Sequence, residues 1–184
     1  AFVRRVDRRA RTLKALGAEL VVGDMLDFRD MLGAMAGVQR AYYCPPFAPH
    51  LLHGASVFAL AAEEAKLEVA ALMSQWHPSP ADPSFVTREH WLANNLFRWM
   101  PSVDVIHINP GLFAFVYLLG LPAIHHFGLL AAPFGEGRNA PPSNEDVGRV
   151  VAAVLADPAH HIGRSYRPSG PALLDTGQIA QILT

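Results

Sequence analysis

The sequence has little cysteine, little lysine and no surplus of either charge. Cys44 is the single cysteine in 184 residues, which excludes a disulfide framework and leaves the redox compartment open. Lys+Arg number 15 against Asp+Glu 16, and a net charge of −1 excludes a globally basic nucleic-acid binder. Long apolar runs are missing too. The longest, Gly111–Ile124, is broken by Pro122, whereas a membrane-spanning helix needs about 20 residues. Several catalytic signatures are absent as well: no G-x-S-x-G elbow, no H-E-x-x-H pair and no G-x-x-G-x-x-G turn.

What is present is a globular composition. The chain is 51% hydrophobic and 17% charged, with a mean hydropathy of +0.19, enough to bury a sizeable core and too apolar for intrinsic disorder. Short β-branched runs alternate with helical periods. Ala1–Arg5 reads as a strand end, Asp7–Leu16 as a helix capped by Asp7 and stopped by Gly17, and Ala18–Val22 as a second strand. A helix over Asp27–Ala36, a strand over Val38–Cys44, a helix over Leu51–Ala65 and a strand over Glu68–Met73 follow. Thr87–Trp99 is helical and Asp104–Ile108 is a strand. Leu112–Leu130 is apolar without a clear period, and Ala132–Pro142 is a Gly/Pro-rich loop. A capped helix over Ser143–Ala156, a short strand within Arg164–Arg167 and a closing helix over Asp175–Leu183 complete the chain. Strand–helix alternation at this spacing predicts βαβ units and a parallel sheet covered by helices on both faces.

In such a sheet ligands bind at the carboxyl ends of the strands. Five segments end strands on that edge: Arg4-Arg5, Gly23-Asp24-Met25, Cys44-Pro45-Pro46-Phe47, Ser74-Gln75-Trp76 and Asn109-Pro110-Gly111. Arg4 and Arg5 have the chemistry to hold the 2′-phosphate of NADP; the competing reading is a solvated basic face shared with Arg8, Arg9, Arg11 and Lys14. Ser74 is either a strand-end cap or a hydroxyl aimed at a ligand, and Cys44 has no recognisable base beside it. Nine histidines invite a metal reading, but no spacing among them brings three ligands together, so no metal is expected.

Several stretches then carry a family likeness. The run from Leu16-Gly17-Ala18-Glu19-Leu20 through Val22-Gly23-Asp24-Met25-Leu26-Asp27 to Leu32-Gly33-Ala34-Met35-Ala36-Gly37 resembles the NmrA-like family of atypical short-chain dehydrogenases/reductases. Asn109-Pro110-Gly111-Leu112-Phe113 is similar to that family's R-P-G-x-F segment, and Pro142–Val147 with Gly163–Tyr166 and Ser169–Pro171 to its C-terminal subdomain. The resemblance implies an α/β, Rossmann-like doubly wound parallel sheet binding NADP or NAD. Residues 1–111 would form the cofactor-binding core and 112–184 a small C-terminal substrate or interaction subdomain. By position, Arg4 would meet the adenosine phosphate, with Arg5 beside it, and Asp24-Met25 would flank the adenine. Cys44-Pro45-Pro46 would line the central path, and Ser74 with Asn109-Pro110-Gly111 would border the nicotinamide.

Three departures from the family pattern set further expectations. The first strand and its Gly-rich turn are absent, and the chain opens where the second strand finishes. It therefore reads as a fragment of a longer protein, with a gap in its sheet and with NADP binding weakened or lost in this chain alone. A micromolar calorimetric affinity would overturn that expectation. The Y-x-x-x-K pair is missing, since no tyrosine stands four before Lys14 or Lys66, which leaves Ser74 and His90 as the candidate catalytic residues. Asn109 stands where the family often has Arg. The expected function is NAD(P)H-linked reduction of a small carbonyl or quinone-like acceptor. The alternative is a non-catalytic NADP-dependent redox sensor that regulates a protein partner. A cytoplasmic protein acting on a small molecule is expected, with neither nucleic acid nor membrane as partner and a homodimer left open.

Overall fold

A computed structural model describes residues 1–45, 49–131 and 134–183. The alternation expected from the sequence is present. Strand β1 (Phe2–Val3) leads into α1 (Arg8–Ala15), β2 (Val21–Val22) into α2 (Phe28–Ala34), and β3 (Arg40–Tyr43) into α3 (Leu51–Glu64). Then come β4 (Val69–Met73), α4 (Phe85–Arg98) and β5 (Asp104–Ile108). After β5 lie two short helices, α5 (Phe115–Leu118) and α6 (Leu121–Phe127), then α7 (Asn144–Ala156), β6 (Ser165–Tyr166) and α8 (Thr176–Leu183).

The helix starts follow the capping chemistry written in the sequence. Asp7 accepts from the Ala10 amide at 3.0 Å, and Asp27 from the Arg29 and Asp30 amides at 2.8 and 3.0 Å. Ser84 caps α4 through the Thr87 amide and Ser143 caps α7 through the Asp146 amide. The Ser143 hydroxyl also donates to Asp146 Oδ2 at 2.9 Å, a variant of the reciprocal capping box. Gly17, at φ +93°, ends α1 in the left-handed region that a Cβ would strain.

All strand pairs are parallel, and the sheet is in two pieces: β1–β2, and β3–β4–β5–β6 in that order. Among the described residues no ladder joins β1 to β3, so the expected break in the sheet is present and each of these strands keeps one free edge. Strand β4 lies between two neighbours and under helices on both faces, which is why Val69–Leu72 are all buried. Alternation splits its side chains between two cores. Ala70 and Leu72 join the larger core with Phe58 of α3 and Ala93 and Phe97 of α4, while Val69 and Ala71 pack with Ile106, Ile108 and Val147 and Val154 of α7. Residues beyond 111 thus share the sheet: β6 pairs with β5, and α7 lies against β3 and β4.

Two expectations shift. The strand expected over Ala18–Val22 contracts to Val21–Val22, because its partner β1 presents two residues and pairing sets the length. The aperiodic Leu112–Leu130 stretch contains α5 and α6. These helices are too short to show a period, and no residue of α6 is buried.

Candidate functional site

The register of the four-stranded sheet assembles the candidate site. Tyr43 lies opposite Leu72 and Leu72 opposite His107; Met73 lies opposite Ile108. The ladder continues one step past the strands. The Ser74 amide donates to Ile108 O at 2.9 Å and the Asn109 amide to Tyr166 O at 2.7 Å, which sets Ser74 opposite Asn109 on the carboxyl edge. Ser74 and Asn109 are 5% and 4% exposed. Alternation turns Tyr43, Ser74, His107 and Asn109 to the same side as Ala70 and Leu72, the side on which α3 and α4 pack.

This side of the edge holds polar atoms with no partner. Ser74 Oγ, Asn109 Oδ1, both ring nitrogens of His107 and the Tyr43 hydroxyl are buried without a hydrogen bond. Each such group costs about 1–3 kcal/mol unless something donates to it or accepts from it, so a run of them at a strand edge makes this the candidate site. Tyr43 is held by stacking on Phe58 at 4.4 Å between ring centroids, and burial raises the pKa of its phenol, which stays protonated. His107 is lowered to about 4 by burial, with a further push from the Arg98 charge. His90, on α4, is lowered to about 4 by burial. Both imidazoles are neutral at pH 7. No hydrogen bond joins His90 to Ser74.

The other expected residues distribute along the edge. Arg4 and Arg5 are exposed and line a cavity of 770 Å³ between β1 and α1. Arg9, in the same cavity, is tied to Asp7 at 3.0 Å, which leaves Arg4 and Arg5 as its free cations among the described residues. Asp24 is partly committed: its Oδ1 accepts from the Leu26 amide at 2.9 Å, and its own amide donates to Asp30 at 2.9 Å. Met25 packs against the larger core. Cys44 is exposed at the end of β3 and Pro45 follows it; Pro46 and Phe47 lie outside the described residues. Pro110 is buried, and Gly111 sits where an added Cβ would touch Asn139 Oδ1 at 3.5 Å and Trp76 at 3.9 Å. Trp76 is clamped in turn: Arg167 Nε donates to its carbonyl at 2.9 Å, and the guanidinium lies 6.0 Å from its ring centroid.

Ser74 and Asn109 are therefore brought together, with Pro110, Gly111 and Cys44 close in register, while Arg4-Arg5 and Asp24 stand at the ends of the separate β1–β2 pair. The sequence pattern passes over Tyr43, His107 and the Trp76–Arg167 clamp. His107 was legible: two residues before Asn109 on a strand, it must share the face of Asn109. Arg167 was not, since only the fold brings it to Trp76. Among the described residues no three of His, Cys, Asp or Glu could hold a metal, and no helix is long and apolar enough to cross a membrane.

Known proteins share this fold. No family model matches the chain. An NADPH-dependent quinone oxidoreductase of Escherichia coli, solved with NADPH, superposes with a TM-score of 0.85 at 22% identity, covering 100% of this chain and 64% of that one. The triphenylmethane reductase of Citrobacter sp., solved with NADP(H), gives 0.84 at 21% identity, with the same 100% and 64% coverage. These matches show a Rossmann-like α/β fold. By sequence, an NAD(P)H azoreductase of Xenophilus azovorans is 25% identical over 177 residues, 96% of this chain. The chain spans 61% of that azoreductase's length.

Proposed function

We propose that the chain is NmrA-like, binds NADP(H) along the carboxyl edge of its sheet, and serves an NAD(P)H-dependent reduction of a small acceptor. The observation that carries this reading is the pair of unpartnered polar atoms, Ser74 Oγ and Asn109 Oδ1, on one face of the sheet at the ends of adjacent parallel strands. Its relatives point the same way, being reductases of an azo compound, a quinone and a triphenylmethane dye.

The residues fit the two ends of the cofactor. The free guanidinium groups of Arg4 and Arg5 suit the adenosine 2′-phosphate, and the Ser74–Asn109 pair suits the nicotinamide end. No segment of this sequence offers a Gly-rich turn to the pyrophosphate, so the chain by itself binds the dinucleotide weakly. The bound nicotinamide supplies hydride. Ser74 offers a hydroxyl that donates to the acceptor as charge develops on it, and Asn109 Oδ1 accepts an N–H or O–H and fixes orientation. His90, on α4, is kept neutral at pH 7 by burial and carries no spare proton to give.

The test follows NADPH absorbance in the full-length protein with a panel of quinones, azo dyes and aldehydes. Steady oxidation that drops about tenfold or more in Ser74→Ala and in Asn109→Ala supports the reading. Tight cofactor binding without turnover would replace it with the sensor. Turnover indifferent to both substitutions would remove the site.

A further inference from the structure

The register that sets Ser74 opposite Asn109 extends to a third strand. Ile108 lies opposite Tyr166, and the Asn109 amide donates to Tyr166 O at 2.7 Å. The residue that follows, Arg167, therefore stands level with Asn109 and Ser74 at the end of β6. Its guanidinium is fixed in place. Nε donates to Trp76 O at 2.9 Å and the group lies 6.0 Å from the Trp76 ring centroid, so the loops after β4 and β6 hold each other. Both Nη groups remain free. Among the described residues neither has a hydrogen bond or an acid within ion-pair distance. The pair is also open to solvent: Arg167 is exposed, and Trp76 keeps 45% of its surface.

Charge around this row is one-sided. Residues 74–81, 109–135 and 167–174, the segments that follow the three strands, contain no Asp, Glu or Lys, and Arg167 is their single arginine. A guanidinium tied by Nε, with its two Nη groups open and no carboxylate in the segments around it, suits an anion taken through two parallel hydrogen bonds. The half-exposed indole beside it suits an aromatic body, which packs on the ring while its charged group meets Arg167. We propose that the acceptor end of this edge takes a planar aromatic compound bearing an anionic group, with Arg167 as its cation and Trp76 as its aromatic wall. This rests on the Ser74–Asn109 edge being where reduction takes place. It adds the class of acceptor and the residues that select it.

The probe is naphthalene-2-sulfonate, titrated into the full chain at neutral pH by calorimetry and by amide and indole N–H chemical shifts. Saturable binding is expected, with shifts at the Trp76 indole and at the Ser74, Asn109 and Gly111 amides. The neutral isostere naphthalene-2-sulfonamide should bind about tenfold more weakly or worse, and so should methanesulfonate, which has the charge without the ring. Arg167→Gln keeps a donor for Trp76 O and removes the charge. It should cost the sulfonate about tenfold or more and leave the sulfonamide within about twofold. Equal binding of sulfonate and sulfonamide, an equal loss of both in Arg167→Gln, shifts confined to other parts of the chain, or no saturable binding would each overturn the assignment. NADPH oxidation is not read in this titration. A protein that binds the sulfonate and never oxidises NADPH loses the reductase reading and keeps the anion site, while one that oxidises NADPH and ignores the charge keeps the first and loses the second.

Discussion

Acidification should destabilise this protein through two histidines, and the size of the effect follows from where they sit. His90 and His107 are 7% and 5% exposed, and burial lowers each from 6.5 to about 4. The unfolded chain therefore binds more protons than the folded one between these values. Stability is full above the unfolded pKa and is lost as pH falls through the window. Evaluating both protonation equilibria gives a loss of about 2 kcal/mol per histidine at about pH 5, against about 0.2 at about pH 7. Together the pair should remove between about 3 and 4 kcal/mol over that interval, a large share of a typical domain's stability of about 5–15 kcal/mol. Asp7, held by its cap and Arg9, titrates below its usual 3.8 and outside this window. Urea denaturation at a series of pH values reads the loss directly. His107→Leu isolates one half of it: the substitution conserves volume roughly, removes two unpartnered nitrogens, and should leave stability at pH 7 equal or higher. Its loss between pH 7 and 5 should be about half that of the parent. A parent whose midpoint is flat over this range, or a variant with an undiminished slope, would refute the placement of these imidazoles.

Three further perturbations probe the frame. Arg40 Nη1 donates to Leu155 O at 2.6 Å and Ala156 O at 2.9 Å, closing the end of α7 from β3, and Arg40→Ala should cost about 1 kcal/mol, seen as a lower urea midpoint at unchanged slope. Ser143→Ala removes the α7 cap and should cost about 1 kcal/mol in the same assay, while Ser143→Asp should retain most of the stability. A Cβ at Gly23 would stand 2.7 Å from Phe2 Cε2 and 2.9 Å from Asp30 Cβ, so Gly23→Ala should lower the thermal midpoint with a penalty of about 1–3 kcal/mol.

What the chain's own order determined was the alternation of strands and helices up to β5 and the capped starts of several helices. Asp7, Asp27 and Ser143 cap helices because a short oxygen-bearing side chain at those points satisfies amides that the helix leaves free. Capping is local, and a local rule can be read from a local pattern. The uninterrupted apolar run of Val69–Met73 likewise declared a strand covered on both faces, and the strand ends named Ser74 and Asn109. Tertiary structure alone decided what no window of sequence contains. Register set Ser74 against Asn109, pairing partners cut the second strand to Val21–Val22, and packing left Ser74 Oγ, Asn109 Oδ1 and the His107 nitrogens without partners. The Arg167–Trp76 clamp joins residues 91 apart in the chain. Glu89 reads in sequence as one more charge on a helix, and only its packing between α3 and α4 turns it into a buried carboxylate. Whether a polar atom is satisfied depends on everything that surrounds it in space, which is why the places where chemistry could sit were legible and the unpaired atoms that mark them were not.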